Sequence, residues 1–250
     1  MTDTKHTKRE YDKFAKEYHE HLLNPERNKW HKHVEKPYLL KLLKDKIKNK
    51  TVLDLGCDSG IFTKDLLKFK PKKLIGLDLS EGLINIAKRE YPSIEFYQGD
   101  AKKTNFGKQE FDLIFSSLMV HYFDNLLPLF KEVSRILKTK GEFIFSMHHP
   151  VMEVTSRLEI DGKKHKSKLI LQNYFKEEKY SWKLGEKMKN MIAYHHTFET
   201  IINSLAKTGF IVEELFETRP KKVLEKISEK DYERSNNKPS FIVVKARKVR

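Results

Sequence analysis

The stretch TVLDLGCDSG, Thr51 to Gly60, is an apolar run ending in a turn that carries glycine at 56 and 60 and an acid, Asp58, between them. Glycines at such a turn let the backbone approach a ligand closely and let the next helix start beside it. The spacing is not the Gly-x-Gly-x-x-Gly of a dinucleotide turn, so alone it is a weak signal. Two further acids stand in similar places. Asp78 closes LIGLDLS, where a carboxylate can take two ribose hydroxyls in a bidentate arrangement. Asp100 closes FYQGDAKK, where it can accept from an exocyclic adenine amine while Ala101 offers backbone. Ser117 follows FDLIFSS, where main chain would line a pocket. The plain alternative for each acid is a helix N-cap, and Ser80 is a cap candidate in its own right. Three such turns at the ends of consecutive strands favour a ligand over a series of caps.

A second group of residues could handle a proton or an acceptor. His121 and Tyr122 come just after the fourth strand-like run, and His148 and His149 just after the fifth. We take His121 and His148 as candidate general bases, and Tyr122, His149, Trp182, Tyr194, His195 and Arg219 as candidate acceptor contacts. Each has a bland reading: a histidine at a strand end is commonly a hydrogen-bonded packing residue, and Tyr180 and Trp182 alternate with charges as half-buried strand residues do. The pairs 148–149 and 195–196 lack a carboxylate at helical spacing, so no metal is expected. The single thiol, Cys57, sits in the glycine turn, which argues against a cysteine nucleophile and leaves no intramolecular disulfide.

These residues need a scaffold. The runs TVLDL, KLIGLDL, IEFYQGD, FDLIFSS and GEFIFSM alternate with helical patterns GIFTKDLLKF, EGLINIAKRE and NLLPLFKEVSRILK. That rhythm predicts βαβ units, a parallel sheet covered on both faces and a doubly wound, Rossmann-like α/β fold. Ligands of such sheets bind beyond the carboxyl ends of the strands, where the acids lie. Helical spacing from Glu10 to Lys46, broken at Asn24-Pro25, predicts N-terminal helices. After Pro150 the rhythm lapses into ragged alternations, NYFKEEKYSW and KMKNMIAYHH with DGKK as a turn, which predict antiparallel strands of a cap. It then resumes with the helix TFETIINSLAKTG, the strand FIVEELFE, a charged helix over 221–233 and a last strand, SFIVVKAR. We expect one domain: an N-terminal helical cap (1–48), a ligand-binding core (49–150), a cap insertion (151–195) and completion of the sheet (196–250).

The formal charge is +15, with 50 Lys and Arg against 35 Asp and Glu. The excess is +6 over residues 1–50, +1 over 51–150 and +8 over 151–250. Such a balance invites an acidic partner such as nucleic acid or anionic lipid. Most of the excess is lysine scattered over helical surfaces, which reads first as a solvated exterior. No run approaches a membrane span and the first ten residues lack the apolar stretch of a signal peptide, so a cytoplasmic protein is expected.

Taken in order, VLDLGCDSG, LIGLDLS, QGDA, FDLIFSSLMVHY and RILKTKGEFIFSMHHP resemble the successive motifs of class I S-adenosylmethionine-dependent methyltransferases. YDKFAKEY near the start, and YHHTFETIINSLAKTGFIVEELFETRP and KPSFIVVKARK near the end, resemble a bacterial small-molecule branch of that superfamily. The resemblance implies a seven-stranded sheet of order 3-2-1-4-5-7-6 with its last strand antiparallel, and S-adenosylmethionine as cofactor. It implies that Gly56 and Gly60 hold the methionine end, Asp78 with Leu79 the ribose side, Asp100 and Ala101 the adenine, and that Ser117 lines the site while Tyr18 folds over it. Asp58, also a cofactor-binding candidate, stands where the family pattern most often has glycine; a carboxylate there is unfavourable beside the cofactor's carboxylate and attractive beside its ammonium. The activity implied is methyl transfer to a small-molecule O, N or C acceptor by in-line displacement. RNA modification through the basic flanks, or a catalytically silent binding module on the same fold, are the other readings. DNA amines are poor candidates, because SSLMVHY replaces the Asp/Asn-Pro-Pro-aromatic turn that stacks a flipped base.

Overall fold

A computed structural model of the chain describes residues 3–152, 154–160, 163–184 and 187–249. The strands are β1 (Thr51–Leu55), β2 (Lys73–Asp78), β3 (Glu95–Gln98), β4 (Phe111–Ser116), β5 (Leu137–His148), β6 (Thr155–Ile160), β7 (Lys163–Leu171), β8 (Lys179–Leu184), β9 (Met188–Tyr194), β10 (Phe210–Glu217) and β11 (Phe241–Lys248). Seven of them form one sheet in the order β10-β11-β5-β4-β1-β2-β3. The pairings among β1 to β5 are parallel, and β11 runs antiparallel to both β5 and β10. With the four cap strands set aside, this is the expected order 3-2-1-4-5-7-6. The reversal of order between β1 and β4 places a crevice at their carboxyl ends, where Gly56 and Ser117 stand.

The helices are α1 (Asp3–Lys13), α2 (Ala15–Leu23), α3 (Lys36–Leu43), α4 (Ile61–Asp65), α5 (Glu81–Glu90), α6 (Leu126–Ile136), α7 (Phe198–Lys207), α8 (Val223–Ile227) and α9 (Glu229–Asn237). Several local expectations shift. The charged helix expected over 221–233 is two helices, because Ser228 takes an extended conformation and caps α9 by accepting from the Asp231 amide. The N-terminal region starts earlier and breaks at Phe14, and a π-helical turn, His31–Glu35, leads into α3. The cap is two separate ribbons, β6-β7 and β8-β9, each antiparallel. Residues 161 and 162 of the expected DGKK turn lie outside the described residues.

The sheet is buried on both faces. Phe111, Phe130, Phe143 and Phe145 are fully enclosed on one side with α6 and α7, and Leu39, Leu43, Phe62 and Phe115 fill the other. A third cluster joins Tyr11, Ala15 and Tyr18 of the N-terminal helices to Leu83 and Ile86 of α5 and to Met191 of β9. Asp12 fixes that attachment: its Oδ1 accepts from the Ser80 hydroxyl at 2.7 Å and from the Gly82 amide at 3.1 Å. The lid is thereby anchored to the turn that follows β2.

Gly76 shows how tightly the central strands meet. A Cβ there would stand 2.5 Å from Phe96 Cδ1 and 2.8 Å from Cys57 Sγ, both buried. Gly76→Ala should therefore lower stability by about 1–3 kcal/mol in denaturant unfolding. Gly107→Ala, whose Cβ would meet only Glu110 Oε2 at 3.4 Å, should change little by comparison. Equal stabilities for the two variants would contradict this packing.

Candidate active site

The glycine turn continues β1 into left-handed backbone. Gly56 has φ of 82°, Asp58 of 50° and Gly60 of 78°. The Gly56 and Cys57 amides both donate to the Leu77 carbonyl, at 2.7 and 3.1 Å, which ties the turn to β2. A side chain at 56 would strike Met119 at 2.7 Å, and one at 60 would strike Phe96 at 2.7 Å. Both glycines are thus required by backbone and space. Gly60 also serves as the N-cap of α4, which starts directly after the turn.

Asp78, at the end of β2, is almost fully buried. Its Oδ2 accepts from the Asp58 amide at 3.0 Å and its Oδ1 from the Ser80 amide at 2.9 Å. Burial pushes its carboxyl up to about 6, against the opposing effect of these amides. Asp58 is pushed well above the ordinary carboxylate range by burial first and by the Asp78 charge second, although the Tyr18 hydroxyl donates to its Oδ2 at 3.1 Å. Beneath them Asp54, bonded to the Thr63 hydroxyl at 2.6 Å, is raised by burial to about 8. Among the described residues no ion pair neutralises any of the three. Ser80 caps α5 by accepting from Leu83, so Asp78 is released from that role.

Asp58, Asp78 and Ser80 open on a cavity of about 470 Å³. Of the residues singled out from sequence, Tyr18, Gly56, Asp58, Asp78, Leu79, Asp100, Ala101, Ser117, Tyr122, His148 and Trp182 lie on its wall. Helices α1 and α2 roof it, with the Tyr11 hydroxyl 2.8 Å from that of Tyr122 and the Tyr11 and Tyr18 rings packed edge to face. The cap contributes Trp182, set edge to face against His148 with ring centres 5.1 Å apart.

The other candidates lie elsewhere. Gly60 sits behind the turn. His121 is sealed behind His148, their rings stacked at 3.8 Å, and neither of its nitrogens has a hydrogen-bond partner among the described residues. Burial holds it well below the usual imidazole range. His149 turns away to Glu217, 2.9 Å distant, and His195 bonds the Tyr174 carbonyl at 2.8 Å. Tyr194 ends β9, paired with Lys179, and Arg219 is exposed, its amide donating to the Tyr38 hydroxyl at 3.1 Å. His148 and His149 therefore diverge, because successive residues of a strand face opposite ways.

Sequence reasoning missed the groups that the π turn delivers. Glu35 is fully buried; its Oε1 accepts from Ser117 at 3.0 Å and from Ser146, and its Oε2 lies 3.1 Å from His31 Nε2. His31 faces the cavity, as do Trp30 and Tyr11. The spacing of His31 and Glu35, four apart on a helical segment, and of Tyr11 and Tyr18, seven apart, was the available signal.

The comparisons with known proteins agree with this geometry. A family model described as a methyltransferase domain matches residues 53–145, from β1 into β5. An uncharacterized protein of Haemophilus influenzae is 30% identical over 232 residues, covering 86% of this chain and 87% of that one. The crystal structure of an S-adenosylmethionine dependent methyltransferase from Mesorhizobium loti superimposes with a TM-score of 0.71 at 26% identity, over 83% of this chain and 96% of that one. A malonyl-[acyl-carrier protein] O-methyltransferase of Legionella pneumophila is 31% identical over 112 residues, 42% of this chain and 38% of that one. A glycine turn, an acid ending β2 and the sheet order 3-2-1-4-5-7-6 converge with these matches: the chain belongs to the class I S-adenosylmethionine-dependent methyltransferases, and S-adenosylmethionine is its cofactor.

Proposed function

We propose that the protein methylates a small-molecule O, N or C acceptor held in the same cavity as the cofactor, under the N-terminal helices and the β8-β9 ribbon. The observation that carries this reading is the roof. Tyr11, Tyr18, Tyr122 and Trp182 close over the carboxyl ends of the strands, which suits a small, partly apolar guest better than a nucleic-acid strand. The Legionella relative's name, an O-methyltransferase, supports an O acceptor as one of the possibilities.

The residues present fit the cofactor. Asp78 would hold the ribose hydroxyls, since its two oxygens each retain acceptor capacity beside one backbone amide. Leu79, Asp100 and Ala101 would line the adenine side, Gly56, Asp58 and Ser117 the methionine side, and Tyr18 would cover it. Gly60 acts from behind, by starting α4. When bound, the cofactor supplies a sulfonium methyl already activated for displacement, so the protein's part is orientation and exclusion of water.

Where the acceptor must lose a proton, the wall offers the imidazoles of His21, His31 and His148. His148 is pushed down to about 3 by burial and bonds the Tyr180 hydroxyl, so it stays neutral and serves as a hydrogen-bond partner more readily than as a base. His31 Nε2 lies 3.1 Å from the buried Glu35 Oε2 and 3.4 Å from the Ser117 hydroxyl, which hold its ring at the cavity wall. His121 contributes by stacking behind His148, not by contact with the acceptor.

Two outcomes are expected. Calorimetry should show Asp78→Ala weakening cofactor binding by about 10-fold or more, from loss of charge-assisted hydrogen bonds; an unchanged dissociation constant would remove Asp78 from the site. The binding form of Asp78 is the carboxylate, and its folded, unliganded value is about 6. Affinity should therefore be full above that value and fall, by up to about tenfold per pH unit, as pH drops below it. Asp58, raised in the same direction, adds to the fall. A flat profile between about pH 8 and about pH 5 would contradict the assignment. For the acceptor, methyl-labelled S-adenosylmethionine incubated with a metabolite extract and, separately, with total cellular RNA should label the small-molecule fraction; label confined to RNA would overturn the proposal.

A further inference from the structure

Asp58 is the one residue of the glycine turn that departs from the family pattern, and its surroundings demand an explanation. Its φ of 50° lies in the left-handed region that favours glycine, so an acid is kept there at some conformational cost. It lines the cavity together with Gly56 and Ser117, and its Oδ2 accepts from the Tyr18 hydroxyl at 3.1 Å. Tyr18 from α2, Asp78 from β2 and Asp54 from β1 face it, and all three are acids or phenols. Among the described residues neither Asp58 nor Asp78 has a cationic side chain in an ion pair. Asp58 is half-buried and Asp78 buried, and a carboxylate withdrawn from water without a counter-charge tends to take up a proton. A ligand that brings a cation to this spot opposes that uptake.

Resting on the cofactor reading above, we propose that Asp58 is the counter-ion of the cofactor's α-ammonium group, with Tyr18 holding its other oxygen in place. A glycine at this position offers only backbone to the amino-acid end of the ligand. Here a carboxylate adds a charge-assisted bond, and the same residue selects for the amine over an uncharged replacement. The tyrosine contact also links the roof to occupancy, because Tyr18 sits on α2 and grips the residue that meets the ligand.

The test uses S-adenosylhomocysteine and its deaminated analogue, in which the α-amine is replaced by hydrogen, titrated calorimetrically into the wild type, Asp58→Gly and Asp58→Asn. Both variants suit left-handed backbone, so the fold is retained. The wild type should prefer the amine by about tenfold or more, and the preference should shrink to about threefold or less in both variants. The proposal is overturned if the wild type does not discriminate, or if its preference survives unchanged in the variants, which would assign the ammonium to backbone carbonyls. If S-adenosylhomocysteine itself fails to bind the wild type, the cofactor reading falls as well, a result distinct from either of these.

Discussion

The structure turns on the concentration of buried acid at the carboxyl ends of β1 and β2. Asp54 and Asp78 stand at two adjacent strand ends and Asp58 in the turn after the first, all raised by burial, with no ion pair among the described residues to offset them. Such a cluster is tolerable only because the backbone is bent to serve it. The amides of Asp58 and Ser80 point at Asp78, and the Thr63 hydroxyl points at Asp54. The glycines at 56 and 60 exist to allow that bending against Met119 and Phe96. On the assignment proposed for Asp58 and Asp78, the cofactor's ammonium would meet the acid cluster that no cationic side chain among the described residues neutralises.

The N-terminal helices follow from the same constraint. Left open to water, the acids would be solvated and the site wet. Helices α1 and α2 close it, fastened through Asp12 to Ser80 and Gly82 and through Tyr18 to Asp58. The lid is thus bonded to the turns on both sides of Asp78. The cap ribbon completes the enclosure with Trp182 and buries Met188 and Met191 against the same helices.

Much of this was legible in the chain. The five parallel strands announced themselves as short apolar runs between amphipathic helices, and the acids at their ends fell where an open α/β sheet binds ligands. Legibility failed where position depends on a side chain's direction rather than on its place in a strand. His148 and His149 look equivalent in sequence, yet His148, the last residue of β5, lines the cavity and His149, just beyond it, meets Glu217. His121 looked like a base and is instead sealed behind His148. Glu35 and His31 had only their spacing of four as a signal, because their placement beside Ser117 depends on a π turn that no local propensity marks.

The measurement that bears most directly on the acid cluster as cofactor receptacle is a crystal structure of the protein with S-adenosylhomocysteine. The ribose hydroxyls should lie on the Asp78 carboxylate and the amino group should face Asp58, with Tyr18 closed over them. A ligand seated with its ribose away from Asp78, or bound outside the cavity beneath α1 and α2, would contradict it.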